Sequence, residues 1–143
     1  MKLRLFALAC MTVAVILSAW PAAALAGGRI TSAVLGTGAT ENDEITGATS
    51  TFAPDIAKIY CTWVADGADL GAPVRGAWIA TDVGAAAPAN HKIDEASVEL
   101  SESGTGTFTL SKPNAGFPVG KYRIEIYLDK RLAKTVPFTI QGK

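Results

Sequence analysis

Over residues 122–128 hydrophobic and polar side chains alternate strictly. Tyr122, Ile124, Ile126 and Leu128 point one way; Arg123, Glu125 and Tyr127 point the other. A period of two predicts a strand with one buried face. Asp129-Lys130-Arg131 reads as a short turn, after which Leu132, Lys134, Val136, Phe138 and Ile140 continue at the same period. The two runs predict a hairpin. Shorter alternating runs precede it. Residues 58–64 set Ile59, Cys61 and Trp63 against Tyr60, Thr62 and Val64. Residues 74–81 carry Trp78 and Ile79, and residues 105–110 centre on Phe108. Residues 93–100 place Ala96, Val98 and Leu100 on one side and Glu95, Ser97 and Glu99 on the other. Residues 30–35 and 50–53 are weaker candidates.

No stretch after Gly27 holds apolar residues at i, i+3, i+4 and i+7 over a helix length. Turn signals fall between the runs instead, at Gly36-Thr-Gly38, Asp66-Gly67, Gly71-Ala-Pro73, Pro88-Ala-Asn90, Gly104-Thr-Gly106, Pro113-Asn114 and Pro118. About seven strands with a turn every ~8–12 residues predict an all-β domain, either a two-sheet sandwich or a small antiparallel barrel. The segments do not repeat one another, which argues against a propeller or solenoid.

Particular residues favour the sandwich. Cys61 and Trp63 fall on an early central strand, Trp78 on the next, and Gly120-Lys-Tyr122 opens a late one. The stretch from residue 51 to 140 resembles the small immunoglobulin-like or fibronectin-III-like modules of bacterial exported proteins. The resemblance is carried by Phe52-Ala-Pro54, Ile59-Tyr60, Leu110-Ser-Lys-Pro113, Phe117-Pro-Val-Gly-Lys-Tyr122 and the closing hairpin to Ile140. It implies an antiparallel β-sandwich of about seven strands, with Cys61, Trp63, Trp78 and Tyr122 as structural residues. It also implies a Tyr122 ring that is buried, with its hydroxyl returned to the backbone of the preceding turn. No second cysteine stands near Ile124 or Ile126, so the inter-sheet disulfide of such domains is missing here. At this level the resemblance points to an accessory, binding or assembly role and brings no catalytic residues with it.

The amino terminus has a different pattern. Lys2 and Arg4 precede an apolar run from Leu5 to Trp20, and Ala24-Leu-Ala26 supplies small residues at the spacing of a cleavage site. Residues 1–26 therefore read as a signal peptide, and the protein is expected to be exported, periplasmic or secreted. No stable membrane span is expected after cleavage, because Pro21 and the small residues end the run short of the ~20 apolar residues of a span. Residues 27–50 read as a partly flexible N-terminal strand and loop segment, and residues 51–143 as the sandwich. Cleavage leaves 117 of the 143 residues and removes Lys2 and Arg4 from the 13 basic ones, for a net charge of −2 against 13 acidic residues. It also removes Cys10, so Cys61 is left alone and the core has to hold the domain without a disulfide.

Composition narrows the function classes. A chain that is 49% hydrophobic and 18% charged is not built for disorder. A formal net charge of zero gives no electrostatic footprint for nucleic acid. His91 is the single histidine; a catalytic reading would pair it with Cys61 or Asp94, but nothing in the spacing unites them. It reads as a solvated loop residue. Cys61, between Ile59 and Trp63 at strand spacing, reads as a buried inert thiol. Acidic residues gather at Glu41-Asn-Asp-Glu44 and at Asp66 and Asp69, without the spacing of a Ca²⁺ loop. Gly36, Gly38, Gly104 and Gly106 lack the strand-to-helix setting of a phosphate loop. No enzyme activity, cofactor or metal is expected. Alternation turns Tyr60 and Tyr127 outward, making them the candidate binding surface: a pair of exposed aromatics is a platform for sugar stacking or protein docking. The expected function is a non-enzymatic exported module that binds a protein partner or joins an envelope assembly. The alternative is a carbohydrate- or small-ligand-binding domain that uses surface aromatics.

Overall fold

The computed structural model describes residues 27–142. The signal peptide read over residues 1–26 lies outside the described residues. Nine strands form two sheets: β1 Arg29–Ala39, β2 Ile45–Ala48, β3 Thr51–Phe52, β4 Lys58–Asp66, β5 Pro73–Asp82, β6 His91–Glu99, β7 Thr105–Ser111, β8 Gly120–Leu128 and β9 Arg131–Ile140. One sheet runs β2-β1-β4-β7 and the other β3-β9-β8-β5-β6. Every pairing is antiparallel except the short parallel contact of β3 with β9.

The strand count is nine rather than about seven. The element without a counterpart in the sequence reading is β2, which has four residues and no buried side chain. β3 has two residues, falls within the weaker candidate at 50–53, and buries Phe52. A strand that buries nothing has no inward set to alternate against its outward one. The 27–50 segment contributes β1 and β2 to the four-stranded sheet, with β1 paired to β4 from Arg29↔Asp66 to Gly36↔Tyr60.

The core lies between the sheets and is aromatic at two centres. Phe138 is the hub of the first: Tyr122 stacks on it at 5.3 Å, while Trp78 at 5.9 Å and Phe52 at 5.8 Å meet it edge-on. In the second, Trp63 of β4 stacks on Phe108 of β7 at 5.9 Å. Two glycines make room for these rings. A Cβ at Gly76 would stand 2.5 Å from the Phe108 ring, and one at Gly106 would overlap the Trp63 indole. The contact of Gly76 with Phe108 sets β5 over β7 and fixes the alignment of the two sheets, while that of Gly106 with Trp63 lies within one sheet.

Each structural residue singled out above is in this core. Cys61 and Ile59 are fully buried, and Cys61 is a free thiol. Desolvation pushes its pKa from 9.0 up to about 12. The Tyr122 ring is buried and its hydroxyl donates to the carbonyl of Pro118, four residues upstream. Burial also raises the pKa of this hydroxyl. Trp63 Nε1 is the one buried side-chain polar atom without a partner among the described residues.

Candidate functional site

Tyr60 and Tyr127 do not share a surface. Tyr60 belongs to β4 in the four-stranded sheet and Tyr127 to β8 in the five-stranded one. Both are half-buried on outward positions, so they face away from each other across the sandwich. Tyr60 lies in register between Gly36 and Thr109. The Tyr127 ring is covered by Arg75, whose guanidinium carbon is 4.1 Å from the ring centroid. Arg75 also reaches Glu95 at 3.0 Å, and Lys92 joins the same carboxylate at 3.1 Å. Lys92 and then Arg75 hold the Glu95 carboxyl below the usual range. The face of Tyr127 that a sugar ring would stack on is therefore already occupied.

The acidic loop 41–44 has a structural occupation too. Asp43, in the left-handed region at φ 58°, turns its carboxylate onto β7. Thr107 Oγ1 donates to it at 2.7 Å and Thr105 Oγ1 at 2.9 Å. Because β4 lies between β1 and β7, the loop crosses the outer face of β4. Thr62, paired with both Val34 and Thr107, is buried although it faces away from the core; the overlying loop accounts for this. Asp66 pairs with Arg29 at 3.6 Å on an exposed surface, a contact worth little. Among the described residues no three His, Cys, Asp or Glu side chains gather where they would hold a metal ion. His91 is exposed at the start of β6, on the opposite sheet from buried Cys61.

The sandwich is open along one side. β6 ends the five-stranded sheet and β7 ends the four-stranded one. Val98, Ala96 and Asp94 pair with Val74, Gly76 and Trp78, all three of them buried on the core face of β5. Residues directly opposite in a ladder share a face. These three residues of β6 thus point toward the core side, yet all are exposed, Val98 at 42%. Gly76 of β5 already sits over Phe108 of β7, so β6 projects past the last strand of the opposite sheet. Of the side that alternation groups as Ala96, Val98 and Leu100, only Leu100 is buried for this reason.

At the His91 end, the opening leads into an apolar cleft of about 200 Å³ whose walls include Val83, Ile93, Pro113 and Phe117. Tertiary alignment creates this surface, and the alternation pattern did not reveal it. One signal was available in the sequence: β6 carries Lys92, Asp94, Glu95 and Glu99, whereas β7 carries no charge at all.

No protein-family model and no curated protein matches the chain. Among solved structures the chain is similar to an immunoglobulin-like protein from Pseudomonas aeruginosa, with a TM-score of 0.53 and 17% sequence identity. The match covers 82% of this chain and 99% of that one. The likeness shows the fold: this chain is an immunoglobulin-like β-sandwich.

Proposed function

We propose that this chain is a non-enzymatic, exported β-sandwich module that binds a protein partner, as part of an envelope assembly or outside the cell. The observation that carries the reading is the exposure of β6, a nine-residue strand whose core-side residues are left uncovered. Monomeric domains seldom leave the core face of a regular strand bare, and sheet margins of this kind are used for protein recognition. The charged start, apolar run and Ala24-Leu-Ala26 support export.

The test places a photo-reactive amino acid at Val98 on the core side of β6, and as a control at Thr46 on β2, in the full chain made in its own cell. A discrete adduct with another polypeptide from position 98 and none from position 46 is expected. Absence of an adduct at 98, or equal adducts at both, would remove the reading. Amino-terminal sequencing of the recovered protein is expected to begin at Gly27; retention of Met1 would remove the export half of it.

A further inference from the structure

We infer that the open side is a slot one strand wide, which accepts an extended segment of another polypeptide by strand addition to β7. The inference rests on the partner-binding reading above and specifies how the partner is held.

The edges of the two sheets are not equally defended. An unpaired edge invites another strand, and proteins block it with charge, proline, bulges or shortness. β2 has four residues and β3 has two. β9 carries Arg131, Lys134 and Pro137, and the register slips by one at Ala133. β6 carries four charged residues and slips at Ile93. β7 has seven residues, Thr-Gly-Thr-Phe-Thr-Leu-Ser, with no charge, no proline and no register shift against β4. It is the one edge among the described residues with none of these defences.

Ladder geometry identifies its free groups. Ala65 donates to the Gly104 carbonyl at 2.7 Å and Lys112 to the Ala57 carbonyl at 2.9 Å. Hydrogen-bonded pairs alternate along an antiparallel ladder, so the even-numbered residues of β7 bond to β4. The backbone N–H and C=O groups of Thr107, Thr109 and Ser111 therefore point outward.

The occupant follows from what surrounds that edge. A folded second copy pairing antiparallel with β7 would drive its own five-stranded sheet into the projecting β6. A single extended segment fits beneath β6. Its alternate side chains would meet Val98, then Ala96, then Asp94, and at the far end the apolar cleft at Ile93 and Pro113. Among the described residues Asp94 has no ion-pair partner. The chemistry that fits is a strand with two apolar residues, a basic residue and a large apolar anchor at successive alternate positions. Its remaining side chains would lie on the outer face beside the threonines of β7.

The probe is a phage-displayed library of 12-residue peptides, selected on the full exported chain. Enriched peptides are expected to show that alternating pattern. Their addition is expected to slow hydrogen exchange at the amides of Thr107, Thr109 and Ser111. Thr109→Pro removes an outward N–H and leaves the β4 ladder intact; Ala96→Arg fills the slot from an exposed position. Each is expected to weaken binding at least tenfold while the melting temperature of the Ala96→Arg variant stays within a few degrees of the parent. No enrichment, protection at other strands, or binding unchanged in Ala96→Arg would each overturn the inference. A concentration-dependent dimer abolished by Thr109→Pro would overturn it in favour of a second copy. Cross-linking at position 98 without protection of the β7 amides would retain the partner and discard strand addition.

Discussion

β8 and β6 belong to the same sheet, are separated only by β5, and have nine residues each. Their fates are opposite. On the core face of β8, Tyr122, Ile124, Ile126 and Leu128 are no more than 2% exposed. On the core face of β6, Asp94, Ala96 and Val98 are all exposed. The difference lies in the other sheet. β8 has strands beneath it, whereas β6 projects beyond β7. A face is buried when a second layer reaches it, whatever its own pattern. Fully burying a residue of the β8 type contributes ~1.5–3 kcal/mol, and on the core side of β6 only Val98 offers a binding partner a side chain of that kind.

The comparison predicts a gradient of mutational effects. The largest belongs to Tyr122→Ala, which removes the ring stacked on Phe138 and leaves a cavity at the centre of the core. We expect a loss of about 3–5 kcal/mol in equilibrium denaturation. A loss below about 1 kcal/mol would mean that β8 is not the anchor of the sheet.

Cys61 tests the dryness of the same core through pH. Its pKa is 9.0 ordinarily and about 12 when folded, so the folded state disfavours the thiolate. The unfolded chain loses the proton first. The contribution is therefore complete below about pH 9 and is lost as pH rises from about 9 to 12, by up to ~1.4 kcal/mol per pH unit. Cys61→Ala is expected to cost about 1–2 kcal/mol at neutral pH and to flatten the alkaline slope by that share. A native thiol labelled within seconds, or an alkaline slope unchanged by the substitution, would place water beside Cys61.

Tyr122→Phe isolates the hydroxyl bond to Pro118. A cost of about 0.5–1.5 kcal/mol is expected, well short of the alanine variant. If the two cost the same, the bond rather than the ring would dominate.

The smallest effect is expected at the margin. Val98→Ser changes a core-side position of β6 that is already in water, and its cost should stay within about 0.5 kcal/mol. A loss comparable to that at Tyr122 would show β6 to be covered in solution, by a second copy or by another part of the chain.

The pattern of residues 122–140 contained the closing hairpin, and the resemblance drawn from Cys61, Trp63, Trp78 and Tyr122 contained the immunoglobulin-like architecture. These were legible because a buried face imposes a period of two on any strand that has one. β2 was not legible, because it buries nothing and is held by pairing with β1 while Asp43 reaches across to β7. That Tyr60 and Tyr127 lie on different sheets was not legible for a related reason. Alternation says that a side chain points outward, but not from which sheet, nor what lies over it.

The sequence by itself determined the strand runs other than β2, the inward aromatics, the inward-facing Cys61 and the absence of charge on β7, since each is a local property of the chain. Only the tertiary structure decided that Tyr127 lies under Arg75, that Asp43 is spent on two threonines and that β6 overhangs an unguarded β7. The first two outcomes depend on which segments become neighbours within a sheet; the third depends on how far one sheet slides over the other, an offset set where Phe108 of one sheet packs on Gly76 of the other, residues far apart in the chain.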